Sequence, residues 1–118
     1  MSNIYWADGE YIPKEQAKIS PLTHTLHYGL GAFEGVRSYQ SHDGKKSLIF
    51  RLVDHTKRLL ESAKIIGVDV DYSLDQLIEA QIEVVKRSKL TNSYIRPLVY
   101  IGSERLGLDI IDTVSYTH

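Results

Sequence analysis

Hydrophobic and polar positions change their period several times along this chain, and each change marks an element. Residues 4–12 alternate around Ala7-Asp8-Gly9-Glu10, which predicts a hairpin with that tetrapeptide as its turn. Pro13 and Pro21 bracket a loop, and residues 23–31 are polar, aromatic and glycine-rich without a clear period. Residues 33–40 alternate again and read as one strand. The turn SHDGKK follows, and residues 47–51 return as a second strand. The period then lengthens. Leu59, Leu60, Ala63 and Ile66 share one stripe of a helix over 54–66, with Asp54 as its N-cap and Gly67 just past its end. A second helix spans 74–88. Ser73 and Gln76 have capping-box spacing, and Leu74, Leu77, Ile78, Ile82 and Val85 form its apolar face. Glu79, Glu83, Lys86 and Arg87 fall mostly opposite, as a solvated surface. Residues 94–101, YIRPLVYI, make the strongest strand. Pro97 has no N–H for a ladder and so predicts an edge or a bulge. Gly102 and Gly107 then mark a loop.

The order β-β-β-β-α-α-β is that of an α+β fold: a small, mainly antiparallel sheet with two helices on one face. A length of 118 residues suits one domain. The chain is 42% hydrophobic and 25% charged, which sets it apart from disordered and low-complexity sequences. A net charge of -1 leaves no cationic excess for a nucleic-acid backbone. The absence of cysteine removes disulfides, thiolate metal sites and cysteine nucleophiles. The first residues show neither a basic nor an apolar leader segment, and no apolar run approaches membrane length, so a cytoplasmic location is expected. Eight tyrosines stand against two phenylalanines, and tyrosine suits ligand pockets and interfaces.

Strand period two brings chemistry into view. Phe33, Gly35, Arg37 and Tyr39 share one strand face, and Tyr94, Arg96, Leu98 and Tyr100 share another. An arginine in an apolar strand face must find an acceptor or reach water. Two such strands would wall a pocket for a small acid with an apolar body, and Gly35 would leave room for it. The alternative is that each arginine meets Glu34, Glu104 or a backbone carbonyl. Arg58 has two readings as well: a surface ion pair with Glu61 three residues on, or a guanidinium gripping a phosphate. His24 and His27 stand three apart without a third ligand at metal spacing, so structural imidazoles bonded to loop backbone are expected, with no metal.

The segment HTLHYGLGAFEGVRSY, residues 24–39, resembles the N-terminal part of the branched-chain amino acid aminotransferases, which are fold type IV pyridoxal-phosphate enzymes. IYWADGEYI, FRLVDHTKRLLESAKII and TNSYIRPLVYIG resemble further family segments in the same order, and the likeness covers about residues 3–108. FEGxR with a downstream YIRPL is specific to this branch. The D-amino acid transaminases and aminodeoxychorismate lyases share the fold and usually lack that pairing.

The resemblance implies the architecture of that fold's small N-terminal domain and the cofactor pyridoxal 5'-phosphate. It implies a ping-pong amino transfer from leucine, isoleucine or valine to 2-oxoglutarate, in a homodimer or larger assembly. Arg58 matches the arginine that holds the cofactor phosphate. Phe33, Gly35, Arg37, Tyr94 and Arg96 match residues lining the substrate pocket, and Tyr28 and Leu108 match positions that reach into the neighbouring subunit's site. The family's Schiff-base lysine belongs to a second domain and matches none of the lysines here, so no catalytic residue is assigned. This chain is therefore expected to be residues 1–113 of a small domain whose catalytic partner domain is absent, and to be inactive alone. Residues 114–118, VSYTH, read like a translated library adapter and are expected to be a non-native tail. Two other functions stay open: another fold type IV transaminase or lyase, and a non-catalytic ligand-binding or interaction domain.

Overall fold

The computed structural model describes residues 4–103 and the backbone of 106–114, with the side chains of Asp109 and Ile110 in that last stretch. Asp8 and Gly9 both take positive φ, 47° and 90°, and this tight turn joins β1 (Ile4–Ala7) to β2 (Glu10–Pro13). A single 3-10 turn, Lys14–Gln16, and a short helix, α1 (His24–Tyr28), lead to β3 (Gly31–Phe33). β4 (Val36–Gln40), β5 (Ser47–Ile49), α2 (Leu52–Ile65), α3 (Leu74–Ser88), β6 (Ser93–Ile101) and β7 (Leu106–Val114) complete the described chain. The sheet runs β2-β1-β7-β6-β4-β5, with β3 also paired to β6, and every pairing is antiparallel. The α+β architecture is as the sequence predicts.

Both helices pack on one face of the sheet. Strand residues Trp6, Ala32, Val36, Ile95, Val99 and Ile110 meet Leu52, Leu59 and Ala63 of α2 and Leu77, Ala80, Val84 and Val85 of α3 in one buried core. The predicted capping box of α3 is present: Gln76 N–H donates to Ser73 Oγ at 3.1 Å, and Ser73 N–H donates to Gln76 Oε1 at 2.8 Å. α2 ends in a Schellman motif, with Val68 N–H to Ala63 O and Gly67 N–H to Lys64 O around Gly67 at φ 78°.

Several expectations need correction. Arg51, in left-handed geometry at φ 51°, caps the N-terminus of α2. Asp54 lies in the first turn and pairs with the Arg51 guanidinium at 2.9 Å. The buried stripe of α3 is Leu77, Ala80, Gln81, Val84, Val85 and Ser88, so Ile82 turns outward. The strand predicted over 33–40 is broken at Glu34-Gly35 into β3 and β4, which pair with different parts of β6.

That break also explains Pro97, which is fully buried in a central strand and not at an edge. Its carbonyl accepts Glu34 N–H at 3.1 Å, facing the gap between the two half-strands. In a strand a residue's N–H and C=O point the same way, so the N–H that proline lacks falls where the ladder is already interrupted. Gly107 pairs with Tyr100 within β7, a strand that the glycine spacing had predicted to be loop. α1 was also unforeseen. Thr25 Oγ1 ties it down by accepting Ile101 N–H at 2.8 Å and donating to Leu30 O at 2.7 Å.

Candidate functional site

The face of the sheet away from the helices gathers the predicted pocket residues. Parity holds across the β3–β4 break: Ala32, Glu34, Val36 and Ser38 are buried on the helix side, and Phe33, Gly35, Arg37 and Tyr39 lie on the open side. Cross-strand register sets Arg37 opposite Tyr94 and Phe33 opposite Leu98. The Arg96 guanidinium stacks 4.3 Å from the Phe33 ring centre and donates to Tyr94 Oη at 2.6 Å. Arg37 lies 5.9 Å from the Tyr94 ring centre. Any side chain on Gly35 would collide with the Tyr94 hydroxyl, and its Cβ would lie 2.9 Å from Tyr94 Cζ. Five of the predicted residues thus form one contiguous wall.

Within that wall, the Nε of Arg96 is buried and has no hydrogen-bond partner among the described residues. A buried donor without an acceptor is costly. Among the described residues Arg96 meets no glutamate, and Glu34, one of the two that the sequence offered, is taken by Arg58 and His55. Its ring and hydroxyl neighbours hold its plane and leave an N–H for something else to accept.

Arg58 sits on the other side of the break. Its Nε and Nη2 donate to Glu34 Oε2 and Oε1, each at 2.7 Å, in a bidentate pair. His55 Nδ1 lies 2.9 Å from Glu34 Oε1. Arg58's partner is therefore Glu34 and not Glu61. The bond from Arg58 holds the Glu34 carboxyl below the usual carboxylate range, with His55 adding to the effect against the cost of burial. Glu34 in turn raises Arg58, which stays a fixed cation. Only two of the five guanidinium N–H groups are used on Glu34. The side chain is 64% exposed, beside a concavity of about 380 Å³ lined by Phe50, Arg51, Asp54, His55 and Arg58. Arg51 and His55 are taken up by Asp54 and Glu34, and the N–H groups that Arg58 leaves over are the ones that fit a phosphate group.

Sequence reasoning missed Glu34 and His55 as the groups that hold Arg58. The signal was available: Glu34 has the inward parity of its strand, and an inward carboxylate needs a partner.

Tyr28 on α1 is 75% exposed, with its ring 4.5 Å from that of His24. It stands apart from the wall's contacts. His27 Nε2 lies 2.7 Å from Pro21 O, so this imidazole bonds to loop backbone as expected, whereas His24 Nδ1 is buried without a partner. Among the described residues no group of three or more histidine or acidic side chains could hold a metal. Leu108 and Glu104 have side chains outside the described residues, as do residues 115–118 of the predicted tail.

The family model for amino-transferase class IV matches residues 31–117, which include both the wall and Arg58. The chain belongs to the amino-transferase class IV family. This class IV amino-transferase chain is 47% identical over 105 residues to the branched-chain-amino-acid aminotransferase of Pseudomonas aeruginosa, covering 89% of this chain and 34% of the relative. The solved branched-chain amino acid aminotransferase of Escherichia coli superposes with a TM-score of 0.90 at 35% identity, over 98% of this chain and 40% of that one. A further solved branched-chain amino acid aminotransferase, with pyridoxamine 5'-phosphate, gives a TM-score of 0.92 at 33% identity, over all of this chain and 41% of that one. The class IV chain thus spans about a third of the length of the curated relatives it matches.

Proposed function

We propose that this chain forms the small, substrate-facing domain of a pyridoxal-phosphate-dependent branched-chain aminotransferase. The observation that carries the reading is the open wall itself. It holds apolar surface from Phe33 and Tyr94, with the Tyr94 hydroxyl seated over Gly35, and fixed cations at Arg37 and Arg96, with one buried N–H of Arg96 unanswered among the described residues. Such a wall suits an acid whose side chain is either aliphatic or carboxylate. The similarity to branched-chain enzymes supports the substrate class, and the solved relative with pyridoxamine 5'-phosphate supports the cofactor.

When bound, the cofactor supplies the electron sink for amino transfer, and the protein supplies position and charge. Arg58 would hold the phosphate through the N–H groups that Glu34 leaves over. Arg96, braced by Tyr94 Oη and the Phe33 ring, would orient the second carboxylate of 2-oxoglutarate. The aliphatic chain of leucine, isoleucine or valine would lie on Phe33 and Tyr94. Gly35 does not leave the room expected for a ligand: it lets the Tyr94 hydroxyl lie against the backbone, where it braces Arg96. In a homodimer, Tyr28 and Leu108 would complete the neighbouring subunit's pocket. Residues 1–113 would be the small domain, with a second domain carrying the lysine that binds the cofactor.

The test is a chimera that joins this chain to the remaining two-thirds of the Pseudomonas aeruginosa relative. Transfer from leucine to 2-oxoglutarate is expected, with no transfer from D-alanine and no lyase activity on aminodeoxychorismate. Arg96→Gln should lower use of 2-oxoglutarate more than use of leucine. A folded chimera without transfer, or with equal losses for both substrates, would overturn the reading. The chain alone is expected to give no turnover.

A further inference from the structure

A second concavity, of about 410 Å³, lies between the β4–β5 turn and the C-terminal end of α3 and shares no lining residue with the first. Its size is within the range of small-ligand sites. Lys45 and Lys46 line it from the turn, and Lys86 and Lys89 line it from the helix end. These are four of the chain's eight lysines, on a protein whose net charge is -1. None of the four has an ion-pair partner among the described residues, and no carboxylate lines the concavity. The nearby Asp43 is turned into its own loop, where it accepts from Ser41 Oγ and Lys45 N–H.

The floor is apolar. Ile49, Ile82 and Val85 form it, and Ile82 is the residue that the helical stripe had placed in the core and that is instead 37% exposed here. The two walls are cross-tied, by Ser47 Oγ donating to Thr91 O at 2.9 Å and by Gln40 N–H donating to Asn92 Oδ1 at 2.9 Å.

Cations at a helix C-terminus ordinarily answer its partial negative charge. α3 has another device at that end: Ser88 Oγ donates to Val85 O at 2.8 Å and accepts Leu90 N–H at 3.3 Å. The helix end does not account for Lys45 and Lys46, which lie on a different element. Lys89 also holds a left-handed φ of 58°, where glycine or asparagine is the favoured residue. Four ammonium groups outweigh the half-charge of the helix end.

We propose that this concavity binds a small organic phosphate, an aryl or short-alkyl monoester. The dianion would sit among Lys45, Lys46, Lys86 and Lys89, with its apolar body on Ile49, Ile82 and Val85. Lysine meets phosphate as a point charge and tolerates variation in its geometry. This site is separate from the wall and from Arg58, and it does not depend on the aminotransferase reading.

Phenyl phosphate is the probe, added to the 118-residue chain and followed by amide NMR. Saturable shifts are expected at residues 44–47 and 89–91. Binding of inorganic phosphate at those amides should be about tenfold weaker, because it lacks the buried ring. The Lys46→Gln/Lys86→Gln variant should weaken phenyl phosphate by about tenfold or more. A second readout needs no variant: after reductive methylation with labelled formaldehyde, the signals of Lys45, Lys46, Lys86 and Lys89 should shift while those of Lys14, Lys18 and Lys64 stay put. Equal affinity for inorganic phosphate would mean an adventitious ion only and would overturn the proposal. So would shifts confined to residues 50–58, or an affinity unchanged in the double variant.

Discussion

The two faces of one sheet behave as different materials, although the same strands build both. On the helix side, Val36, Ile95, Val99 and Ile110 are fully buried, and most of the polar groups among them are paired, Gln81 Oε1 being an exception. Ser38 Oγ lies 2.7 Å from Ser93 Oγ, and Gln81 Nε2 donates to Thr56 Oγ1 at 2.9 Å. On the open side, Phe33 and Tyr39 are 57% and 46% exposed, and Arg96 keeps a buried N–H without an acceptor. One face is closed by packed apolar side chains. The other is arranged to be finished by something else, which is how a binding wall differs from a core.

The largest expected effect tests that contrast directly. Ile95→Ala should cost about 2–5 kcal/mol of folding stability, because it leaves a cavity in a packed core. Phe33→Ala should cost about 1 kcal/mol or less, mainly the ring's contact with Arg96. Urea unfolding of both variants measures the pair. Equal costs would break the comparison, since the open face would then be as tightly packed as the closed one.

Glu34 is where the two faces meet, and its replacement sharpens the picture. Glu34→Gln should lose about 1–3 kcal/mol, because the bidentate partner of Arg58 disappears from a buried position. Gly35→Ala comes next. The added methyl meets the Tyr94 hydroxyl, so Tyr94 must move off Arg96, at about 1–3 kcal/mol.

The smallest effect is one of pH, and its sign separates two carboxyls. Burial and the nearby Asp8 raise Asp109 to about 6, and Tyr100 opposes this in part through a bond at 3.5 Å. An unfolded chain releases this proton near the ordinary 3.8 and the folded chain near 6, so stability falls as pH rises through that window. Glu34 acts the other way. Its folded value is lowered from 4.5, so its contribution is present above that value and is lost as the pH falls through the lowered one. Asp109→Asn should flatten the fall between about pH 4 and 6 and leave the acid side unchanged. A stability profile that is identical in the variant would show that Asp109 is not buried as described.

Much of this was legible along the chain. Period two sorted Phe33, Gly35, Arg37, Tyr94 and Arg96 onto open faces, because side-chain direction in a strand depends only on parity, and parity survived the break at Glu34-Gly35. The α3 cap was legible for a similar reason: a capping box is closed between residues three apart. Local geometry is written locally.

Pairings between distant residues were not. Arg58 had Glu61 three residues away and met Glu34, 24 residues back, because strand parity turned that carboxylate toward α2. Pro97 looked like an edge residue, and only the split of its neighbour into β3 and β4 gave it a place in the middle of the sheet. By itself the sequence determined which way the strand side chains of the wall face and where α3 begins, since those follow from backbone period and a local cap. Which charges meet, which strand is central and which face stays open were decided by tertiary structure. They depend on contacts between segments that the chain separates by tens of residues, and no local period encodes that choice.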